Sequence, residues 1–226
     1  MARTRNRPVY FSFFMFDANT RLWSQSARAR YLEHMKVLAD QGYAGFELHC
    51  GRSPEYDVAF PTYAAEVDGY AELRAQMDQA GLKQIALATN VGQGPDQDLS
   101  SPDPAQQEAG IAFLKSRIDI NGALRAKIMM GPMVIPYGAF VHRAPNGDGV
   151  WSDALQDELA PRYETAAANL QIVGEYAEER QVKLAIEPIT HWETPGPNTL
   201  QQLMAFLERV PSSQVGVVID SAHETL

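Results

Sequence analysis

Residues 182–193 have the sequence V-K-L-A-I-E-P-I-T-H-W-E, and this stretch decides the fold. It begins as a mainly apolar run after a long helical pattern, which is typical of a buried parallel β-strand. Pro188 has no N–H group to donate to a neighbouring strand, so the strand should end there. Glu187 is therefore expected at the carboxyl end of a strand, where α/β proteins bind their ligands.

A second stretch, residues 215–223, repeats this arrangement one unit later with the sequence V-G-V-V-I-D-S-A-H. Its apolar run again ends in a carboxylate, that of Asp220. The residues between the two strands, 198–209, follow a helical pattern. If the two strands are neighbours in the sheet, their ends lie ~5 Å apart. Glu187 and Asp220 would then point into one pocket.

The same alternation of strand and helix runs along the rest of the chain. The predicted strands are residues 9–16, 45–49, 83–89, 127–130, 182–187 and 215–220. The predicted helices are residues 27–41, 62–80, a segment from Ser101-Pro102 to Asn121-Gly122, residues 161–180, and a segment opened by Asn198 with Gln201 in a capping-box position. Continuous apolar strands alternating with amphipathic helices indicate a parallel sheet covered by helices. Both a doubly wound open sheet and a (β/α)8 barrel fit this pattern.

The barrel is the better match of the two. The doubly wound fold lacks its glycine fingerprint, because Gly92-Gln93-Gly94 is followed by Gln97 where a third glycine should stand. The chain has 226 residues and stops just after the sixth strand, whereas a full barrel averages ~250 residues. We therefore predict one domain, residues 1–226, of the α/β (β/α)8 TIM-barrel type, truncated after strand 6 and without strands 7 and 8.

An open barrel should have two exposed edges. Strands 1 and 6 would lack outer partners, and both are apolar, with Phe11, Phe13 and Phe14 on one and Val217, Val218 and Ile219 on the other. Such edges promote association, so we expect a poorly soluble chain or a homo-oligomer. A second expectation concerns the long Gly/Pro-rich connection of residues 131–151, which we predict to be a lid over the pocket.

Composition limits the classes of partner. The net charge of −9 and the absence of a Lys/Arg cluster beyond Arg3, Arg5 and Arg7 argue against nucleic acid. The single cysteine, Cys50, allows no intrachain disulfide, which fits a reducing, cytoplasmic location. No apolar run reaches the ~18 residues of a membrane helix. The arginines before residues 9–16 could begin a signal peptide, but a first strand explains that aromatic run better.

The strand-end motifs resemble those of a known enzyme superfamily. Glu187-Pro188, Glu193 and Asp220-x-x-His223, together with the phrase G-Y-A-G-F-E-L at residues 42–48, are similar to the sugar isomerase/epimerase superfamily with the xylose isomerase-like barrel. The most similar pattern is that of the ketose 3-epimerases of the D-tagatose 3-epimerase type. The resemblance implies that Glu187 is a metal ligand and the catalytic acid/base, and that Asp220 is a second ligand. It also implies that Glu193 and His223 contact the sugar.

The implied chemistry is proton transfer beside a ketose carbonyl through an enediolate. It needs a carboxylate base and a divalent cation that stabilises charge on oxygen. Carboxylate and imidazole ligands suit Mn²⁺, Co²⁺ or Mg²⁺. The substrate is expected to be a small sugar or sugar phosphate. The family's remaining ligand His and second catalytic Glu lie on strands 7 and 8, so we expect this chain alone to lack epimerase activity.

Several alternatives remain open at this level. The barrel could belong to another enzyme of the superfamily, similar to an inosose dehydratase or a zinc endonuclease, or the chain could be a non-catalytic fragment. Glu187 could form a strand-end salt bridge, Glu193 could be a solvated loop charge, and His223 could pack in its loop. Glu47 and His49 end the second strand on one face, and could line the pocket or belong to the core.

Overall fold

Six parallel β-strands form one sheet, and their order in space is their order along the chain. The structure is a computed structural model that describes residues 7–14, 22–52, 60–140 and 142–224. The strands are β1 (Tyr10–Ser12), β2 (Gly45–His49), β3 (Ala86–Asn90), β4 (Ile128–Gly131), β5 (Lys183–Ile186) and β6 (Val215–Val217). Every neighbouring pair is parallel. The carboxyl ends of all six strands therefore meet at one end of the sheet.

The helices connect successive strands. They are α1 (Gln25–Asp40), α2 (Tyr63–Gln79), α3 (Pro104–Leu124), α4 (Asp153–Glu179), α5 (Leu200–Leu207) and the single turn α6 (Ser221–Glu224), with a short 3-10 turn at Pro95–Gln97. Five begin at a side-chain cap that accepts a backbone N–H, and these caps are Ser24, Thr62, Asp103, Ser152 and Thr199. The predicted alternation is confirmed. None of the described helices is both long enough and apolar enough to span a membrane.

Four predicted helix starts were wrong, and α1 begins at Gln25, two residues before the predicted start. Helix α3 begins at Asp103-Pro104, because the hydroxyl of Ser101 instead bonds the Gln106 side chain. Helix α5 has its capping box at Thr199 and Gln202, one residue later than predicted. Helix α4 begins at Asp153, eight residues before Pro161. Proline in a helix interior usually breaks the helix, but here buried Leu155 and Leu159 hold the first two turns against the core.

The core divides into two clusters. One lies between β1–β3 and helices α1 and α2, and it includes Phe13, Phe46 and Leu73. The other lies around β4 and β5 and is closed by α3, α4 and α5. Gly45 is needed where β1, β2 and β3 converge, since a Cβ atom there would lie 2.6 Å from both the Ala86 carbonyl oxygen and the Tyr10 ring.

The connection between β4 and α4 has two parts. Residues 132–136 are all buried and belong to the core beneath the carboxyl ends of the strands. Residues 142–151 are largely exposed, and an antiparallel bridge pairs Arg143 with Gly149. The apolar side chains of the first part are packed in the core, so the prediction of a lid applies to the second part. The exposed hairpin of residues 142–151 keeps the prediction of a movable segment.

Strands β1 and β6 lie at the two edges of the sheet. The predicted apolar edge on β1 is partly wrong, because Phe13 is buried and packs against the Tyr31 and Phe46 rings. The exposed large apolar side chains there are Val9 and Tyr10. At the other edge, Ile219 is 56% exposed. Apolar surface thus remains at both edges of the described sheet.

Candidate functional site

Glu187 occupies the first position after β5. Its backbone N–H donates to the Gly131 carbonyl at 3.0 Å, which continues the ladder one residue beyond the strand. Pro188 follows and ends the pairing. The side chain of Glu187 is 12% exposed. The buried strand therefore places a carboxylate at the carboxyl end of the sheet, as the sequence predicts.

Asp220 and His223 come from the end of β6. Val218 N–H still donates to Ile186 at 2.9 Å, so the two strands stay paired up to the site. The Asp220 carboxylate accepts from Ala222 N–H at 2.8 Å and opens the turn of α6. Residues three apart lie on one side of a helical turn. Asp220 and His223 are thereby presented together toward Glu187.

The three side chains meet at one point. Their potential ligand atoms all lie within 4.8 Å of one another, and within the described ranges this is the group of His, Cys, Asp and Glu that could hold a metal ion. His223 Nε2 is 3.7 Å from Glu187 Oε1 and 4.0 Å from Asp220 Oδ2. The structure therefore brings the Glu187 and Asp220 side chains together at the carboxyl end of the sheet.

Glu193 lies on the other side of the imidazole. Its Oε2 atom is 3.8 Å from His223 Nδ1. The Tyr137 hydroxyl donates to Oε1 at 2.5 Å, and the Thr190 hydroxyl donates to Oε2. The four predicted site residues are thus neighbours: Glu187 and Asp220 face Nε2 of His223, and Glu193 faces its Nδ1.

Tyr137 and Thr190 are residues of the site that the sequence analysis missed. Tyr137 belongs to the connection after β4, and burial raises the pKa of its phenol, with a further rise from the hydrogen bond to Glu193. The phenol is therefore a hydrogen-bond donor at neutral pH. The available signal was the position of Tyr137 after a strand end, but nothing in the local sequence pairs it with a carboxylate 56 residues away.

The pKa of Glu187 is raised to about 7. Burial is the main cause, and His223 opposes it. The carboxylates of Asp220, Glu47 and Glu193 add to the rise, so Glu47 acts on the site electrostatically. His49 ends β2, and its ring lies 5.0 Å from that of Phe14. The charged groups acting on Glu187 are thus one histidine and three carboxylates, which makes the site electronegative.

The donor set fits a divalent cation. Two carboxylates and an imidazole offer oxygen and nitrogen ligands of the kind that Mn²⁺, Co²⁺ and Mg²⁺ accept. Among the residues that the structure describes, no Arg or Lys forms an ion pair with Glu187 or Asp220. The Nδ1 atom of His223 is buried and has no hydrogen-bond partner among the described residues. Such a polar atom is costly to bury unless a ligand or a small movement satisfies it.

A parallel βα sheet wound in chain order, with carboxylates and a histidine at its carboxyl edge, defines a barrel-type α/β protein with a ligand site where such barrels carry one. The chain belongs to the family of xylose isomerase-like TIM barrels, whose model matches residues 35–225. No curated protein is similar enough to the chain to count as a match.

Solved structures support the same fold. A protein from Anabaena variabilis, provisionally assigned as a sugar phosphate isomerase/epimerase, is 47% identical with a TM-score of 0.86, over 97% of this chain and 65% of that one. An L-ribulose 3-epimerase is 22% identical with a TM-score of 0.67, over 95% and 61%. The D-psicose 3-epimerase of Clostridium cellulolyticum is 19% identical with a TM-score of 0.69, over 96% and 64%. The chain therefore spans less than two thirds of the length of these proteins.

Proposed function

We propose that the protein acts as a metal-dependent sugar isomerase or epimerase, which transfers a proton beside a ketose carbonyl. The observation that carries the proposal is the convergence of Glu187, Asp220 and His223 within 4.8 Å at the carboxyl end of the sheet. Membership of the xylose isomerase-like barrels supports the reaction class. The ketose 3-epimerases among the structural neighbours support the fold on which that chemistry would occur.

Glu187 and Asp220 would hold the cation. When bound, a divalent cation supplies Lewis-acid stabilisation of negative charge on the substrate oxygen. Glu187 takes the proton from the carbon beside the carbonyl. The electron pair of that C–H bond forms the C=C bond of an enediolate, and the carbonyl electrons move to oxygen. Return of a proton to carbon completes the isomerisation or epimerisation.

The environment of Glu187 suits this role. An acid/base works best when its pKa lies near the working pH, and the pKa of Glu187 is raised to about 7, chiefly by burial. A carboxyl group of this kind can accept and return a proton near neutrality. Epimerisation also needs a proton donor on the opposite face of the enediolate, and we assign none of the described residues to that step.

Glu193 and His223 would bind the sugar hydroxyls. Glu193 accepts hydrogen bonds, and its two oxygens already have fixed donors in Tyr137 and Thr190. His223 can donate to or accept from a hydroxyl through a ring nitrogen. Together they would position the sugar so that the reacting carbon lies near Glu187.

The charge of the site favours an uncharged sugar over a sugar phosphate. Three carboxylates and one histidine are the charged groups that shift the pKa of Glu187, and a phosphate would add repulsion unless another part of the protein neutralised it. The same field disfavours the abasic-DNA endonuclease alternative, because DNA is a polyanion. We therefore propose a free ketose as the substrate class.

Calorimetric titration with Mn²⁺ tests the metal site on the chain itself. We expect binding in the wild-type chain that Glu187→Gln together with Asp220→Asn abolishes. The matched control is Glu33→Gln with Asp40→Asn, which makes the same change of charge on the exposed surface of α1. Unchanged Mn²⁺ binding in the site variant would overturn the proposed metal site.

Proton exchange tests the reaction. D-tagatose, D-psicose and D-fructose would be incubated with Mn²⁺ in D₂O, and deuterium beside the carbonyl would be followed by NMR. Exchange that depends on both Mn²⁺ and Glu187 supports the proposal. Exchange that persists in Glu187→Gln would remove Glu187 as the acid/base.

A further inference from the structure

We propose that Tyr137 is a positioning residue that holds Glu193 in place for the sugar and, through Glu193, orients His223. The proposal rests on the proposed function, because it treats Glu193 and His223 as the groups that bind the sugar. Its starting point is the hydrogen bond of 2.5 Å from the Tyr137 hydroxyl to Glu193 Oε1.

The Glu193 carboxylate is held at both oxygens. Tyr137 donates to Oε1 from the connection after β4, and Thr190 donates to Oε2 from the loop of Glu193 itself. A carboxylate with one donor on each oxygen cannot rotate about its last torsion without losing a hydrogen bond. Thr190 lies only three residues from Glu193, so it moves with that loop. Tyr137 is the donor that ties the carboxylate to a different strand end.

The main chain beside Tyr137 is joined to the same loop. Gly138 N–H donates to the Glu193 carbonyl at 2.8 Å, and the Thr194 hydroxyl donates to the Ile135 carbonyl at 3.4 Å. Gly138 has a φ of 67°, a backbone conformation that glycine adopts without strain. The side-chain contact between Tyr137 and Glu193 is therefore flanked on both sides by bonds between the two loops.

A third loop completes the arrangement. The N–H of Tyr137 donates to the Gln93 carbonyl, after β3, at 3.3 Å. Tyr137 thus connects the loops that follow β3, β4 and β5. Its side chain is 42% exposed, so the ring lies at the surface of the site while its hydroxyl contacts Glu193. A residue held by its backbone in this way is suited to position a carboxylate with little loss of entropy.

The orientation of Glu193 bears on the tautomer of His223. Glu193 Oε2 lies 3.8 Å from His223 Nδ1, which has no hydrogen-bond partner among the described residues. This carboxylate favours a proton on Nδ1, whereas Glu187 and Asp220, which face Nε2 at 3.7 and 4.0 Å, favour the other tautomer. The Nδ1–H population of His223 therefore reports how closely Glu193 is held to the ring. Tyr137 would act on this proton only through Glu193.

Tyr137→Phe is the test variant, because it removes one hydroxyl and keeps the ring. Tyr176→Phe is a matched control: the Tyr176 hydroxyl also donates to a carboxylate, that of Asp119, at 2.9 and 3.0 Å, but on the outer helices. Glu193→Gln serves as the reference for loss of the carboxylate charge. Melting temperatures of the two Tyr→Phe variants equal to that of the wild-type chain would show that folding is preserved in both.

The main readout is the tautomer of His223 by ¹⁵N NMR of the imidazole nitrogens, without metal or sugar, over a pH series that identifies the neutral ring. His223→Gln assigns the signals. We expect the same Nδ1–H population in the wild-type chain and in Tyr176→Phe. In Tyr137→Phe and Glu193→Gln we expect the Nδ1–H population to fall by about twofold or more. A Tyr137→Phe spectrum identical to wild type would overturn the proposal.

A second readout separates sugar binding from metal binding. The Tyr137 hydroxyl bonds Glu193 and not Glu187 or Asp220, so Mn²⁺ affinity should stay within about twofold of wild type in Tyr137→Phe. D-tagatose affinity should fall about tenfold, as for loss of one hydrogen bond to a charged group. Equal D-tagatose affinity in the two chains would also overturn the proposal. Failure of the wild-type chain to bind Mn²⁺ would count against the proposed function, and the tautomer would still decide the role of Tyr137.

Discussion

His223 Nε2 lies 3.7 Å from Glu187 Oε1, and a protonated His223 would be a partial counter-charge for this carboxylate. It is not a sufficient one. Burial raises the pKa of Glu187 more than His223 lowers it, so the pKa is about 7. A proton therefore binds Glu187 near neutral pH in the chain without metal, and that proton competes with any cation.

The competition predicts a pH dependence of Mn²⁺ binding. Because a metal ligand must be deprotonated, Mn²⁺ affinity should fall about tenfold between pH 8 and pH 6, where Glu187 becomes mostly protonated. Titration calorimetry at several pH values, in buffers of different ionisation enthalpy, would measure both the affinity and the proton released. Constant affinity over this range would show that Glu187 is not a ligand or that its pKa is ordinary.

The same pKa predicts the sign of a stability effect. The ordinary pKa of Glu187 is 4.5, and folding raises it to about 7. The folded state binds this proton more tightly, so the stability contributed by the group is fully present below pH 4.5 and lost as the pH rises through 7. Glutamine resembles the protonated form. Glu187→Gln should therefore stabilise the metal-free chain at pH 8, by up to roughly 3 kcal/mol, with little effect near pH 4.

Urea unfolding with a chelator present measures this difference. The expected result is a higher midpoint for Glu187→Gln at pH 8 and similar midpoints for both chains near pH 4. A lower midpoint at pH 8 would mean that the ionised carboxylate is stabilised in the fold, contrary to the raised pKa.

Glu187 and Asp220 could be predicted because their signals are local. Each ends an apolar run, and in a parallel sheet the ends of neighbouring strands must meet at one edge. Glu193 and His223 came from the motif resemblance, and the structure places both beside the strand-end carboxylates. The order and direction of the strands were likewise predictable, because each strand and helix carries its own apolar pattern.

Tyr137 could not be found in this way, because its partner is set by how two loops pack and not by spacing. Helix starts failed for a related reason. Ser101 and Asp103 are both good caps, and the choice between them depended on the side chain of Gln106, which takes the Ser101 hydroxyl. Proline is disfavoured in a helix interior, so the sequence predicts that the helix begins at Pro161. The burial of Leu155 and Leu159 overrides this preference.

An ion pair that is buried away from the site should contribute strongly to the free energy of unfolding. Glu66 is fully buried and accepts hydrogen bonds from Arg117 on α3 and from Arg52 after β2. Glu66→Gln would leave two guanidinium groups near each other without a counter-charge, so we expect a loss of about 3–5 kcal/mol in the free energy of unfolding. Urea unfolding at neutral pH measures it.

The control for this variant is Glu164→Gln. Glu164 also pairs with an arginine, Arg209, but the two side chains are 70% and 45% exposed. Exposed pairs contribute about 0–1 kcal/mol, so this variant should unfold close to wild type. Equal losses in the two variants would show that burial of Glu66 does not set the cost.

Limited proteolysis should separate the two parts of the connection after β4. Trypsin should cut after Arg143, in the exposed hairpin, before it cuts after Arg162 or Arg180 of the helical layer. Mn²⁺ with D-tagatose should slow this cut, because the hairpin follows directly on the Tyr137–Gly138 contact with Glu193. Equal rates with and without these ligands would identify the hairpin as a passive surface loop.

Asp220 stands beside the outer edge of β6, the last strand of the described sheet. In the part of the chain that the structure describes, the candidate metal ligands Asp220 and His223 thus lie where the backbone pairing of the sheet ends. A strand that pairs with this edge, whatever its source, would bring its own carboxyl end within ~5 Å of Asp220. It would satisfy the free N–H and C=O groups and could add a donor atom to the ion in a single step. When a strand pairs with this edge, the cation affinity and the thermal stability of the protein should therefore rise together.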